Sequence, residues 1–386
     1  MTTPQAPSKT PRLAFFGSGA LAESLAKAAS TAGIAACQGT DPAIASTAAS
    51  IWLLPDADAS ALAAPSTPQV LVVTGYQPAG PAAARLPVLR LTHPQVAGSL
   101  AELTPPLQAS DALSDALLQD AQALGYTTVA LAGTREGFAQ RVSYALMIEA
   151  MALLGEGVAP AQIESAASTF GFAMPPLLMI DHLSLHVLDE LLHDELHQLA
   201  HDHQDEPKHD HGHDHKHGHD HGHDHEHDHG HGHDHDHGHE HKHDHGHGHS
   251  HGGVSKRMPE SAVYVLEKMA HGFDRQGVDS GYGLYEHEED GSAELWDGLS
   301  VFARGARAVP PADVQDRLVW AFALAARHCV HEGLIGSADA DAASVAGCHF
   351  PAASGGVMQW LDKQPAGSFE ARATALTGLY GERFAV

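Results

Sequence analysis

Of the chain's 34 histidines, 24 fall between residues 201 and 251. From His209 to His251 every odd position is His, and Gly, Asp, Lys, Glu or Ser fills the even ones. Neutral imidazole is a ligand for Zn²⁺, Ni²⁺, Co²⁺ and Cu²⁺, and the interleaved acids lower the cost of gathering cations. The candidate ligands are His209, His211, His213, His215, His217, His219, His221 and His223, with His193 and His197 upstream. Many sets of four histidines are equivalent, so no fixed site follows. Zn or Ni should exchange among them and leave as pH falls through about 6.5, when imidazoles protonate. With almost no apolar surface to bury, the tract is expected to be disordered without a ligand. An inert solvated spacer is the alternative reading.

A second pattern suits an anion. Gly17-Ser18-Gly19-Ala20-Leu21-Ala22 is GxGxxA, between a short apolar run and a helical pattern. Gly17 permits a tight turn, Gly19 lets backbone approach a pyrophosphate, and Ala22 is small enough for helix–strand packing. The helix N-terminus then offers amide donors to the phosphates of NAD. A ribose-binding acid is expected about 20 residues on, and Asp41 lies near that point. The alternative is a Gly turn that binds nothing. In DHLSLHVLDELLHDELHQL the pairs His182/His186 and His193/His197 are spaced i, i+4. If the segment is one helix, each pair shares a face, as a metal clamp or as a polar face. Cys37, Cys329 and Cys348 show no CxxC spacing.

The elements that must hold these residues follow from composition and periodicity. The formal charge is −27, from 21 Lys+Arg and 48 Asp+Glu. That balance argues against nucleic acid as a partner, because duplex affinity comes largely from neutralised phosphates, and against docking on anionic membrane. Few cysteines, no apolar leader and no long apolar run lead to the expectation of a cytoplasmic protein. Apolar runs at 13–16, 50–54, 69–73 and 88–91, separated by short connections, suggest a parallel α/β sheet. Beyond about Gly133 the periodicity becomes helical. Arg141 precedes an apolar helix and Glu156-Gly157. Arg317 precedes a similar helix and Glu332-Gly333, 176 residues later in each case. Aromatic clusters follow both, GFAMPP at 171–176 and HFPAASGG at 349–356. The expected fold class is α/β plus all-α. A tail at 1–11 leads to a shortened Rossmann domain at 12–132 and a first helical repeat at 133–200. A His-rich disordered insertion spans 201–253, the remainder of the first repeat and a linker span 254–310, and a second repeat spans 311–386.

Three segments carry a resemblance. GFAQRVSYALMIEAMALLGEGVAPAQIESAASTFGFAMPPLLMIDHLSLHV at 137–187, RQGVDSGYGLY at 275–285 and AARHCVHEGLIGSADADAASVAGCHFPAASGGVMQWLD at 325–362 resemble the L-3-hydroxyacyl-CoA dehydrogenase family. The likeness is to the dehydrogenase half of the bacterial fatty-acid oxidation α-subunit. It implies a Rossmann domain followed by two helical repeats. It also implies NAD-dependent oxidation of 3-hydroxyacyl-CoA to 3-ketoacyl-CoA in β-oxidation, an acyl-CoA substrate and a homodimer. In the family a His takes the hydroxyl proton, a Glu orients that His, and an Asn helps hold the substrate. Aligning Pro94 and Glu102 retains the Glu as Glu102 but puts Arg90 where the His should be, with His93 on a later Asn. The substrate-holding Asn is Gln140. Arg stays protonated and cannot act as a general base, so an Arg90–Glu102 ion pair is expected. His93 could take over only if the backbone shifted. The resemblance also gives Cys329 a buried packing role. A catalytically silent homologue that binds metal through its tract is the other reading of the same residues.

Overall fold

The computed structural model describes residues 11–46, 48–57, 67–77, 79, 85–94, 96, 98–105, 111–132, 137–190, 258–303 and 308–386. The N-terminal part is an open α/β sheet built from β1 (Leu13–Phe16), α1 (Gly19–Thr31), β2 (Ala36–Gly39), β3 (Ser50–Leu53), β4 (Gln69–Thr74), β5 (Val88–Leu91), β6 (Leu100–Thr104), α2 (Asp111–Ala123) and β7 (Thr127–Ala130). Spatial order is β2-β1-β3-β4-β5-β6-β7. Neighbours are parallel except β5 and β6, which run antiparallel. β1, β3 and β5 are buried at every residue, as expected of parallel strands covered on both faces. Alternation along β1 divides the core. Leu13 and Phe15 pack with Leu25 of α1 and Trp52, while Ala14 and Phe16 pack with Ile51 and Leu53. The chain passes from β2 on one side of β1 to β3 on the other, so the crevice at the strands' carboxyl ends opens there.

The helical part begins with α3 (Phe138–Gly155), α4 (Pro160–Phe170) and α5 (Pro176–Leu183). It resumes with α6 (Glu260–Glu267) and a hairpin of β8 (Tyr285–His287) and β9 (Ala293–Leu295). It closes with α7 (Pro311–His331), α8 (Ser337–Gly347), α9 (Val357–Asp362) and α10 (Ser368–Tyr380). α3 is buried over most of its surface, because it packs between α6 and α7. The two Glu-Gly corners share a backbone feature. Gly157 and Gly333 adopt φ of 89° and 74° after α3 and α7, closing the two helices alike. The two aromatic clusters meet: Ala173 N donates to His349 O at 2.9 Å, and the Phe172 and Phe350 rings lie 5.6 Å apart. Cys329 is buried, in keeping with a packing role. No helix among the described residues is long and apolar enough to cross a membrane.

One expectation is corrected. The segment from Asp181 does not run as a single helix: α5 ends at Leu183, and Ser184 holds φ 82°. Leu185 N then donates to Gln276 O at 2.9 Å, which fixes the break. His182 and His186 therefore do not share a helix face. His186 Nε2 instead lies 3.3 Å from Glu190 Oε1. Apolar residues continue in helical register across the break, which is why the sequence hides it.

Candidate functional site

β5 and β6 set Arg90 directly opposite Glu102 in antiparallel register. The pair points toward the start of α3 and is removed from water, Arg90 at 2% exposure and Glu102 at 0%. Arg90 Nε lies 3.8 Å from Glu102 Oε2, an ion pair too long for a hydrogen bond. The remaining guanidinium donors are engaged elsewhere. Nη1 donates to Gly75 O at 3.2 Å and Gln77 O at 2.5 Å, and Nη2 donates to Gln140 Oε1 at 3.1 Å. Glu102 Oε1 accepts from Ala139 N at 2.8 Å, one of the free amides at a helix N-terminus. Glu102 Oε2 is buried without a hydrogen-bond partner. Burial outweighs the nearby guanidinium and pushes the Glu102 carboxyl up to about 7. Gly137 makes the approach possible, since a Cβ there would lie 2.3 Å from Glu102 Oε2 and 3.0 Å from Arg90 Nε.

Gln140 is tied on both ends of its amide. Its Nε2 donates to Tyr144 Oη at 3.2 Å, and Tyr144 Oη donates to Tyr76 O at 2.7 Å. The expected Arg90–Glu102 pair therefore forms, and Gln140 joins it. The neighbouring Arg141 turns away to Glu332. The cluster is a buried polar core.

His93 stands apart. No hydrogen bond joins it to Glu102, so the backbone shift that would make it a replacement base does not occur. Its ring lies 4.7 Å from that of His349 and edge-on to Tyr76 at 6.3 Å. Both histidines line a cleft of about 740 Å³ with Ser99, Thr127, Met174 and Asp341. The Nε2 atoms of His93 and His349 are buried without partners. Burial lowers both rings below the usual imidazole range, His349 to about 4, so each is neutral at pH 7. His349 also holds φ 61°, a left-handed conformation uncommon for a side-chain-bearing residue. Sequence reasoning assigns no role to His349. Its place in HFPAASGG was visible, but its proximity to His93 was not.

The glycine-rich turn takes the expected shape. Gly17 N donates to Gly39 O at 3.1 Å, Gly19 opens α1 with φ 76°, and Ala22 is buried against the sheet. Asp41 lies just past β2, with its Oδ1 accepting from Ala43 N at 2.9 Å as the cap of a short 3₁₀ turn. A residue the sequence reading passed over completes the turn. Asp56, after β3, accepts from Ser18 N at 2.7 Å and from Ser18 Oγ at 2.5 Å on the same oxygen. These donors hold the Asp56 carboxyl below its usual range. A Cβ on Gly17 would lie 2.6 Å from Asp56 Oδ1 and 2.8 Å from Leu54 Cβ. A carboxylate thus sits where a dinucleotide would need a positive helix end and bare backbone. The residues of this turn do not fit NAD.

Among the described residues no cluster of three or more His, Cys, Asp or Glu could hold a metal ion. His193, His197 and the tract positions His209 to His223 lie outside the described residues.

A family model for the 3-hydroxyacyl-CoA dehydrogenase C-terminal domain matches residues 137–215. The chain resembles the 3-hydroxyacyl-CoA dehydrogenase family. A 3-hydroxybutyryl-CoA dehydrogenase from Escherichia coli K12 shares its fold at a TM-score of 0.62 and 14% identity, over 97% of this chain and 96% of that one. The dehydrogenase part of multifunctional enzyme 1 from C. elegans does so at 0.52 and 13%, over 97% and 87%. No curated protein matches. The 3-hydroxyacyl-CoA dehydrogenase architecture is therefore present from the sheet through the second repeat, and at these identities the likeness is one of fold.

Proposed function

We propose that this chain is a 3-hydroxyacyl-CoA dehydrogenase-like protein in which the dehydrogenation step has been lost. The observation that carries this reading is Arg90. It stands where the resemblance implies the proton acceptor, it cannot release its own proton at neutral pH, and it donates to Gly75, Gln77 and Gln140 while pairing with the Glu102 carboxylate at 3.8 Å. Glu102, which would orient a catalytic imidazole, instead faces a permanent cation. Gln140 braces that cation and offers no amide to a substrate. Oxidation of L-3-hydroxyacyl-CoA with NAD, as a step of fatty-acid β-oxidation, is the reaction this arrangement argues against. Acyl-CoA binding without turnover remains compatible with it.

The experiment is a rate measurement. Purified protein offered acetoacetyl-CoA and NADH should oxidise no NADH above a blank while showing a folded circular-dichroism spectrum. Turnover at an enzyme's ordinary rate, about 1 per second or faster, would refute the loss of chemistry.

A second reading concerns the tract, supported by its composition: 24 histidines in 51 residues. On this reading the chain binds Zn²⁺ or Ni²⁺ as a buffer or a metal-responsive partner. The fold serves as the scaffold that carries the tract, as a cytoplasmic homodimer. Equilibrium dialysis of the full chain and of a chain lacking residues 201–251 tests it. An unchanged metal stoichiometry would count against it.

A further inference from the structure

We infer that Asp56 stands in the place of a cofactor phosphate, so that the chain closes its own nucleotide cradle to NAD. The inference goes beyond the loss of chemistry at Arg90 and does not depend on it. One rests on β5 and β6, the other on the turn after β1, and either can fail alone.

The turn is formed as a dinucleotide would require, yet its first donors are taken. Ser18 caps α1 in an extended conformation but gives its helix no side-chain hydrogen bond. Its hydroxyl and its amide both donate to one Asp56 oxygen. The other Asp56 oxygen covers the α-carbon of Gly17, on the side that glycine leaves bare. An N-terminal helix end attracts anions, and the carboxylate meets that attraction from within the chain. A pyrophosphate brought to the same end would face a negative charge at close range and would have to displace it from the Ser18 amide. The position suits the role, because Asp56 follows β3 and Gly17 follows β1, the two strands flanking the crevice where the order of the sheet reverses. Asp41, the acid that the spacing from the glycine-rich turn assigns to a ribose, is held by Ala43 N as a turn cap. The close approach that glycine permits at position 17 thus serves a loop of the protein itself.

NADH fluorescence titration of the full chain tests this without any turnover. Wild type should show no saturation at millimolar NADH. Asp56→Ala should tighten binding by about tenfold or more, since it removes both the charge and the bulk. Asp56→Asn keeps the shape and removes the charge, and should fall between the two. Circular dichroism confirms that each variant is folded. Saturation of wild type at micromolar NADH would overturn the inference. So would a folded Asp56→Ala that binds no better than wild type. If the Ala variant does not fold, the Asn variant decides, and no gain there overturns the inference equally.

Discussion

Arg317 and Glu156 meet at 2.6 Å, and the residues 176 positions away from each, Arg141 and Glu332, meet at 2.7 Å with the roles of the repeats exchanged. Each repeat supplies the arginine for the other's Glu-Gly corner. The two pairs differ in burial: the Arg317 side chain is 0% exposed and that of Arg141 is 26% exposed. Arg317 also holds Glu149 at 2.6 Å, and its guanidinium stacks 4.3 Å from the Tyr380 ring. Removing one member of a buried pair strands the other charge and costs about 3–5 kcal/mol, whereas an exposed pair contributes about 0–1 kcal/mol. Arg317→Ala should therefore lower unfolding free energy in urea several times more than Arg141→Ala. Equal losses would show that the symmetry of sequence is also a symmetry of energy, contrary to the burial.

The Arg90–Glu102 pair gives a prediction with a pH sign. With Arg90 present, burial already pushes the Glu102 carboxyl up to about 7. In Arg90→Met the opposing guanidinium is gone, so the folded-state value rises further above the unfolded value of about 4.3. A carboxyl whose folded value is raised binds more protons folded than unfolded between the two values, so stability falls as pH rises through that window. Arg90→Met should lose more stability at pH 8 than at pH 5, by about 1–3 kcal/mol. A loss that is the same at both pH values would mean that Glu102 does not titrate between them.

How far the sequence reached is clear from these same residues. The runs at β1, β3, β4 and β5 are legible because strands in a covered sheet read as largely apolar stretches. β6 was not, because Glu102 sits at its centre and reads as surface, and Thr127–Ala130 is too short and polar to announce β7. The ion pair at position 90 was legible because Arg has one protonation state. The break at Ser184 was not, because a hydrogen bond from a distant segment, Gln276, imposes it. Asp56 and His349 take their meaning from partners 38 residues and some 250 residues away, which periodicity and spacing do not encode.

Glu164 is a second buried carboxyl, where desolvation outweighs the hydrogen bonds from Leu177 N and the Tyr285 side chain. Its Oε1 accepts from Leu177 N at 2.8 Å, its Oε2 is buried without a hydrogen-bond partner, and burial pushes it up to about 8. Its folded value lies above the unfolded one, so its contribution is fully present at pH 4 and is withdrawn as pH climbs from about 4.3 to 8. Glu164→Gln keeps an oxygen for Leu177 N and removes the titration. The Gln variant should be more stable than wild type at pH 8.5, by on the order of 2 kcal/mol, with a flatter melting-temperature profile between pH 5 and 9. A wild type whose melting temperature rises across that range, with Gln no better at pH 8.5, would show that Glu164 is charged at little cost.

The histidine tract makes a prediction of opposite pH sense. Imidazole binds metal only when neutral, so each bound ion competes with protons. Zn²⁺ or Ni²⁺ taken up by the full chain at pH 7.5 should be released over about pH 7 to 5, as imidazoles with an ordinary value of about 6.5 protonate in competition with the metal. Release should be broad, because successive sites share ligands and titrate together. The folded body should keep its circular-dichroism spectrum over that interval if the metal sits on the tract alone. Metal retained below pH 5 would point instead to carboxylate ligands, since these stay charged there and histidines do not.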